Sequence, residues 1–323
     1  MANISEIARL ANVSRSTVSR VLNNQPYVKE SKRQAVLDVI NMLKYVPNRN
    51  AINLSKGRTN IIGVMIPVIN HPFFNTLMSG IGEACSRFNF SLLVNQTGNS
   101  MEKEQTSFEQ LRDKQIDGLI LASSMSSLET INEVYAHGPI VSCEWSEGTH
   151  AQIYIDHSKG LEMVMKHLIE KNHKHIALCI GNPDSGVGKN RKKAFYDLIA
   201  EKDINHLQDW YFDKKYTFED GQSVMNELHQ LEHKPSAIIV GNDYVAAGII
   251  HQAKALSVDV PNTLAVTGFD NHSISEALQI TTIHQPIHQL GVNAVETIYK
   301  LINHQEVIGK ESLPIELVTR KST

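Results

Sequence analysis

Residues Ile4 to Asn24 read I-S-E-I-A-R-L-A-N-V-S-R-S-T-V-S-R-V-L-N-N. Asn3, just ahead of them, and Glu6 form an N-x-x-E capping arrangement, and Ile4, Ile7, Ala8, Leu10 and Ala11 follow at helical spacing. A short first helix is predicted. Asn12, a residue that tolerates left-handed backbone, then turns the chain, and Ser14 stands as N-cap for a second helix from Arg15 to Leu22. On that second helix Val18, Val21 and Leu22 share the inner face, which leaves Arg15, Ser16, Ser19 and Arg20 outside or at its start. In a helix, tight turn, helix arrangement the opening residues of the second helix reach base edges in the major groove. Arginine there offers a fork that matches guanine O6 and N7.

Working outward, a third helix is expected over about Glu30 to Leu43, where Ala35, Val36, Val39, Ile40 and Leu43 close a small core before Tyr45 and Pro47 end it. Charge supports the same reading. The chain of 323 residues carries a net charge of -3, yet residues 1 to 58 hold ten Lys or Arg against three acids, a surplus of seven, so the remainder carries -10. A basic head on an acidic body directs the head toward a polyanion while the body repels it, and DNA is the expected partner.

Ile4 to Asn24, together with Tyr45 to Leu54 (Y-V-P-N-R-N-A-I-N-L), resembles the head of the LacI/GalR family of bacterial transcription regulators. The resemblance implies operator reading by Arg15, Ser16 and Arg20, with Thr17 and Ser19 beside them. It also implies a hinge helix after Pro47 in which Asn48, Arg49 and Ala51 approach the DNA. Leu54 of that helix would wedge between base steps in the minor groove, where unstacking is offset by the extra surface that bent DNA meets. Asn12 stands where the family usually has Gly, Lys29 where a Ser or Thr usually caps the third helix, and Asn50 and Ile52 replace more usual hinge residues.

From Asn60 the pattern becomes strand and helix in alternation. Apolar, β-branched runs occur at Ile61 to Pro67, Phe90 to Asn95, Asp117 to Ala122 and Pro139 to Cys143, separated by helical stretches. A second set occupies Gln152 to Ile155, His175 to Ile180, Trp210 to Phe212, Ser236 to Val240 and Leu264 to Phe269. Two open parallel sheets are implied, and two such lobes facing one another make a cleft lined by the loops after their strands. The predicted architecture is thus a small all-α helix-turn-helix head (residues 1–46), a hinge helix and linker (47–59) and an α/β core (60–323) of two doubly wound parallel-sheet lobes. The lobes are expected at about 60–155 plus 286–312 and about 156–285 plus 313–323.

The strand-end loops extend the resemblance: His71 to Phe74, Gly241 to Asp243, Val266 to Asp270 and Thr281 to Pro286 look like the family's effector-binding and dimerisation core, similar to periplasmic sugar-binding proteins. Position by position it implies effector contacts at Phe73 and Phe74, Glu144, Arg191, Tyr216, Asn242, Asp270 and Gln285. His71 stands where the family commonly has Asn. The chemistry is coherent by itself, since carboxylates and amides bond vicinal hydroxyls, Arg supplies a fixed fork and an aromatic face covers one side of a sugar or nucleoside ring. Lys189, Arg191, Lys192 and Lys193 crowd one helix start, which raises a phosphate- or carboxylate-bearing ligand as one option and a solvated basic face as the other.

Other classes are poorly supported. Gly181 to Asn190 approaches a phosphate loop, but Val187 follows Gly186 where lysine is required. His229, Glu232 and His233 match the H-x-x-E-H zinc pattern, the one foothold for a hydrolase. A solute receptor for transport would share the body but has no use for the basic head. Cys85, Cys143 and Cys179 are widely spaced among apolar neighbours and suit core positions in a reducing compartment. With no long apolar run and polar residues among the first ten, the expectation is a cytoplasmic protein without membrane contact or cofactor. The sequence therefore reads as a homodimeric regulator of double-stranded operator DNA, most simply a repressor, switched by a sugar or sugar derivative, with room for a protein co-regulator.

Overall fold

A computed structural model describes residues 3–46, 57–202 and 204–323. The expected hinge residues Asn48, Arg49, Ala51 and Leu54 lie outside the described residues. The chain divides into two compact units, residues 1–59 and 60–323.

The first unit contains α1 (Ile4–Leu10), α2 (Arg15–Leu22) and α3 (Glu30–Met42). Asn3 Oδ1 accepts the Glu6 N–H at 3.0 Å, and Ser14 Oγ accepts the Thr17 N–H at 3.2 Å, so both predicted caps satisfy donors that a helix start leaves open. Asn12 between them has φ 50°, the left-handed geometry the turn needs. Lys29 makes no side-chain cap to α3. Instead Arg33, on the first turns of α3, ties down the preceding loop through Asn24 Oδ1 and the Gln25 carbonyl. Ile7, Ala8, Ala11, Val18, Val21, Val36 and Val39 form the core, a small one that leaves Leu10 of α1 and Leu37 and Met42 of α3 exposed.

In the second unit every strand pair but one is parallel. A six-stranded sheet has the order β11-β5-β4-β3-β1-β2, with β1 (Ile61–Ile66), β2 (Ser91–Gln96), β3 (Gly118–Leu121), β4 (Ile140–Ser142), β5 (Ala151–Ile155) and β11 (Lys310–Leu313). A four-stranded sheet has the order β7-β6-β8-β9, with β6 (Ile176–Cys179), β7 (Tyr211–Phe212), β8 (Ala237–Val240) and β9 (Ala265–Thr267). Central strands such as I-A-L-C and A-I-I-V are buried throughout, as strands covered on both faces must be. Around the first sheet pack α4 (Pro72–Arg87), α5 (Met101–Arg112), α6 (Leu128–Tyr135) and α12 (Ile287–Ile302). Around the second pack α7 (His157–Glu170), α8 (Gly186–Lys202), α9 (Phe218–Gln230) and α10 (Asp243–Ala255), with the short α11 (Ser273–Ala277) beyond β9.

Nine strands follow the apolar runs of the sequence. Three others do not: β10 (Thr282–His284) pairs antiparallel with β12 (Glu316–Val318), and β11 joins the far edge of the first sheet beside β5. These segments are three or four residues long and half polar, so periodicity has nothing to register. They matter for the architecture, because α12 packs into the first lobe's core, β11 stays there and β12 returns to the second lobe. The chain thus passes between the lobes three times: after β5, before α12 and after β11.

Candidate functional site

On the head, the cap that starts α2 also presents its outer face. Ser14 Oγ lies 2.8 Å from Ser16 Oγ and 2.9 Å from Thr17 Oγ1, which holds the three hydroxyls together at the helix start. Arg15, Ser16 and Arg20 are exposed, while Thr17 and Ser19 are half-buried. The Ser19 carbonyl accepts from Asn23 Nδ2 at 2.9 Å. Two guanidinium forks and a hydroxyl therefore stand on one outward face of a short capped helix. In the second unit, a cavity of about 570 Å³ lies between the lobes, within the usual size of small-molecule sites.

On the first-lobe side the wall is built from the loops after β1, β3 and β4. His71 caps α4, accepting the Phe73 N–H on Nδ1 at 3.3 Å, with Pro72 at the first helical position where its missing N–H costs nothing. Burial first, then His272 and Arg191, push the His71 imidazole down to about 4, so it is neutral near pH 7 with Nδ1 as acceptor and Nε2–H as donor. Phe73 and Phe74 meet edge to face at 5.3 Å and both line the cavity, although both also pack against the first lobe's core. Glu144 follows β4. Burial pushes its carboxyl up to about 7 against the opposing Ser123 hydroxyl, with Glu104 adding to the rise.

On the second-lobe side the wall includes Arg191, Tyr216 and Asn242. Arg191 is 8% exposed; Nη1 donates to the Gly241 carbonyl at 2.8 Å, Nη2 lies 3.2 Å from His157 Nδ1, and the guanidinium sits 4.1 Å above the Phe269 ring. Burial pushes it down to about 10, which keeps it charged near neutrality, and it suppresses protonation of the buried His157. Asn242 spends its amide on structure, with Oδ1 capping α10 through the Val245 N–H at 2.8 Å and Nδ2 reaching the Tyr216 carbonyl at 3.4 Å.

Two further expected contacts are paired with one another. Asp270 and Gln285 are absent from the cavity wall and bond to one another, Gln285 Nε2 to Asp270 Oδ1 at 2.6 Å, at 5% and 3% exposure. At φ 118° the Asp270 backbone is in a region L-residues avoid, and burial, then nearby Asp243, raise the pKa of its carboxyl against the opposing charge of Arg191. Asp243 is the companion that the sequence placed only as a loop residue. Its carboxylate accepts from the Thr282 hydroxyl at 2.6 Å and the His272 N–H at 2.7 Å, joining α10 to the chain around β10, and burial pushes it up to about 6. His157, also on the wall, was missed as well, though its place just beyond β5 is the signal that finds such residues.

The basic run disperses. Lys189, Lys192 and Lys193 are exposed, Lys192 lying 4.8 Å from the Tyr211 ring and Lys193 2.6 Å from Asp197, so only Arg191 of the four meets the main cavity. That weighs against a ligand held by clustered positive charge. The zinc pattern is likewise broken: α9 ends at Gln230, so Glu232 and His233 follow the helix rather than continue it, and the His233 carbonyl is used by Trp210 Nε1. Among the described residues no His, Cys, Asp and Glu cluster suits a metal, and no helix is long and apolar enough to cross a membrane.

Glu144 makes a pH prediction. Its folded-state pKa, about 7, stands above its ordinary 4.5, so the fold loses stability as pH rises through that interval and no more above it. Glu144→Gln should therefore melt above the parent near pH 8 and together with it near pH 4.5, as followed by circular dichroism at several pH values. Parallel melting curves at every pH would refute the raised carboxyl.

A family model described as bacterial regulatory proteins, lacI family, matches residues 3–48, and a periplasmic binding protein-like domain model matches residues 165–323. The chain is 38% identical over 329 residues to the NTD biosynthesis operon regulator NtdR of Bacillus subtilis (strain 168), covering 100% of both. Among solved structures, the lac repressor dimer bound to operator and the anti-inducer ONPF aligns with TM-score 0.86 at 24% identity, over 99% of this chain and 98% of that one. A LacI family transcriptional regulator from Lactobacillus casei with bound sucrose aligns with TM-score 0.75 at 25% identity, over 81% of this chain and 99% of that one.

Proposed function

Since the chain belongs to the LacI family of bacterial regulatory proteins, we propose that it represses transcription by binding a pseudo-palindromic operator as a homodimer. A neutral sugar or sugar derivative taken up between the lobes switches that binding. The observation that carries the effector class is the wall of the 570 Å³ cavity: paired Phe73 and Phe74, a neutral His71 and a single guanidinium, Arg191, suit hydroxyls and an apolar ring face better than a phosphate. The sucrose-bound relative from Lactobacillus casei is in keeping with this. For the DNA side the support is the exposed face of Arg15, Ser16 and Arg20 on a capped helix.

The test has two parts. Selection from a random duplex pool should return a two-fold-symmetric sequence, because each protomer supplies one reading helix. A sugar that raises the melting midpoint should then change the affinity for that sequence, and by linkage the DNA should change the affinity for the sugar by the same factor. Recovery of asymmetric or unrelated sequences would count against the dimeric operator.

Single substitutions give the third check. Arg15→Ala or Arg20→Ala should weaken operator binding by about 1 to 3 kcal/mol, roughly 5- to 150-fold, while relaxing the preference at one base pair per half-site. Fluorescence anisotropy on selected and scrambled duplexes reads both effects. An equal loss on scrambled DNA would mean that these arginines meet only phosphates.

A further inference from the structure

Glu144 lines a second cavity as well as the first. This side cavity measures about 200 Å³, more than ten times the roughly 15 Å³ that one water requires. The same loops serve both spaces by turns: Ser123 faces the main cavity and Ser124 the side cavity, and on the opposite lobe Ser185 and Val187 face the main one and Gly186 the side one. Glu144 and the start of α8 thus form the partition. They are close, since a Cβ on Gly186 would stand 3.1 Å from Glu144 Oε2.

The side cavity has the surfaces a sugar ring needs. Ser124 and Ser126 are held in place by the fully buried Glu104, which accepts from the Ser124 hydroxyl at 2.9 Å and from the Met125 and Ser126 N–H groups at 2.8 and 3.0 Å. Trp145 lines the same space at 44% exposure, with Lys310 Nζ 5.7 Å from its ring centroid. Asp184 and Lys189, one of each charge, complete the rim from the second lobe. An open indole beside fixed hydroxyls and the carboxyl of Glu144 suits an uncharged polyol.

We propose that the effector is a two-ring carbohydrate, one ring in the main cavity and the other in the side cavity against Trp145, with Glu144 between them accepting hydroxyls from both. The proposal rests on the sugar reading above. It makes Trp145 a specificity-determining residue, one that separates two-ring from one-ring ligands.

Trp145 also supplies its own signal. The chain has two tryptophans, and the other, Trp210, is 2% exposed, so a ring entering the side cavity changes the emission of Trp145 alone. The experiment titrates the full-length chain with glucose, sucrose, cellobiose and trehalose, by calorimetry and by tryptophan fluorescence. At least one disaccharide should bind about tenfold or more tighter than glucose, with an emission change that Trp145→Phe removes. Trp145→Ala should weaken that disaccharide about tenfold and leave glucose within about twofold. If disaccharide and glucose bind alike, or if both lose equally in Trp145→Ala, the side cavity takes no ring and the sugar reading stands alone. If none of the four binds a sample that melts cooperatively, the sugar reading fails and the two-ring proposal falls with it.

Discussion

Arg191→Ala is expected to weaken the cleft's ligand by roughly 10- to 150-fold, while the melting temperature of the free protein moves little. The asymmetry follows from how the guanidinium is held. Nη1 and Nη2 are spent on the Gly241 carbonyl and His157, the plane is stacked over Phe269, and Nε is buried with no partner among the described residues. A ligand oxygen that meets this preset group has no side-chain freedom left to freeze, and a hydrogen bond from a charged donor to a neutral hydroxyl contributes about 1.5 to 3 kcal/mol. In the free protein the losses of two hydrogen bonds and a ring contact are offset by relief of a buried cation whose pKa burial has already depressed. Arg191→Lys should not restore binding, because an ammonium neither stacks on Phe269 nor spans both partners. Calorimetry with the best sugar from the titration, beside thermal melts, separates the two effects. Undiminished affinity in Arg191→Ala would place the ligand elsewhere.

Gly248→Ala should have a large effect on stability, lowering it by about 3 kcal/mol or more, which at the size of the second unit is on the order of 10 °C in melting temperature. A Cβ at Gly248 would stand 2.0 Å from the Phe218 carbonyl oxygen, and on the facing helix a Cβ at Gly221 would stand 2.1 Å from the Val245 carbonyl oxygen. Helices α9 and α10 therefore touch backbone to backbone. No side-chain rotation relieves such an overlap, so the helices must separate. Because Tyr216 to Glu219 lead into α9, and Asn242 and Tyr244 stand at the start of α10, the separation moves a wall of the main cavity. Sugar affinity should fall along with the midpoint. A midpoint within about 2 °C of the parent would show that the helices part at negligible cost.

How much of this was legible beforehand varies with the distance over which each feature is decided. Asn3, Asn12 and Ser14 act on backbone two or three residues away, so their roles as caps and turn could be named from the chain alone, and the structure finds each of them there. Of the nine strands that follow apolar runs, the inner ones were legible because burial on both faces demands such runs, while the edge strand β2 still shows one although it is only half-buried. β10, β11 and β12 carried no such mark, since short edge strands pair through their backbones while half their side chains stay polar.

Residue types and spacing by themselves determined the head, the exposed side of its second helix and the two-sheet body, because capping, helical periodicity and strand burial are local demands that a sequence must state openly. Only the tertiary structure decided which of the expected polar residues face the cavity. Arg191 lies on the main cavity's wall, Lys189 lines the side cavity, Lys192 and Lys193 are exposed, and Asp270 and Gln285 form a buried pair. The physical reason is that a side chain's direction and charge state depend on desolvation and on partners on other elements of the fold, as Arg191 depends on Gly241 and His157. The same holds for Glu144, whose carboxyl is raised by burial and which the two facing lobes place between two cavities.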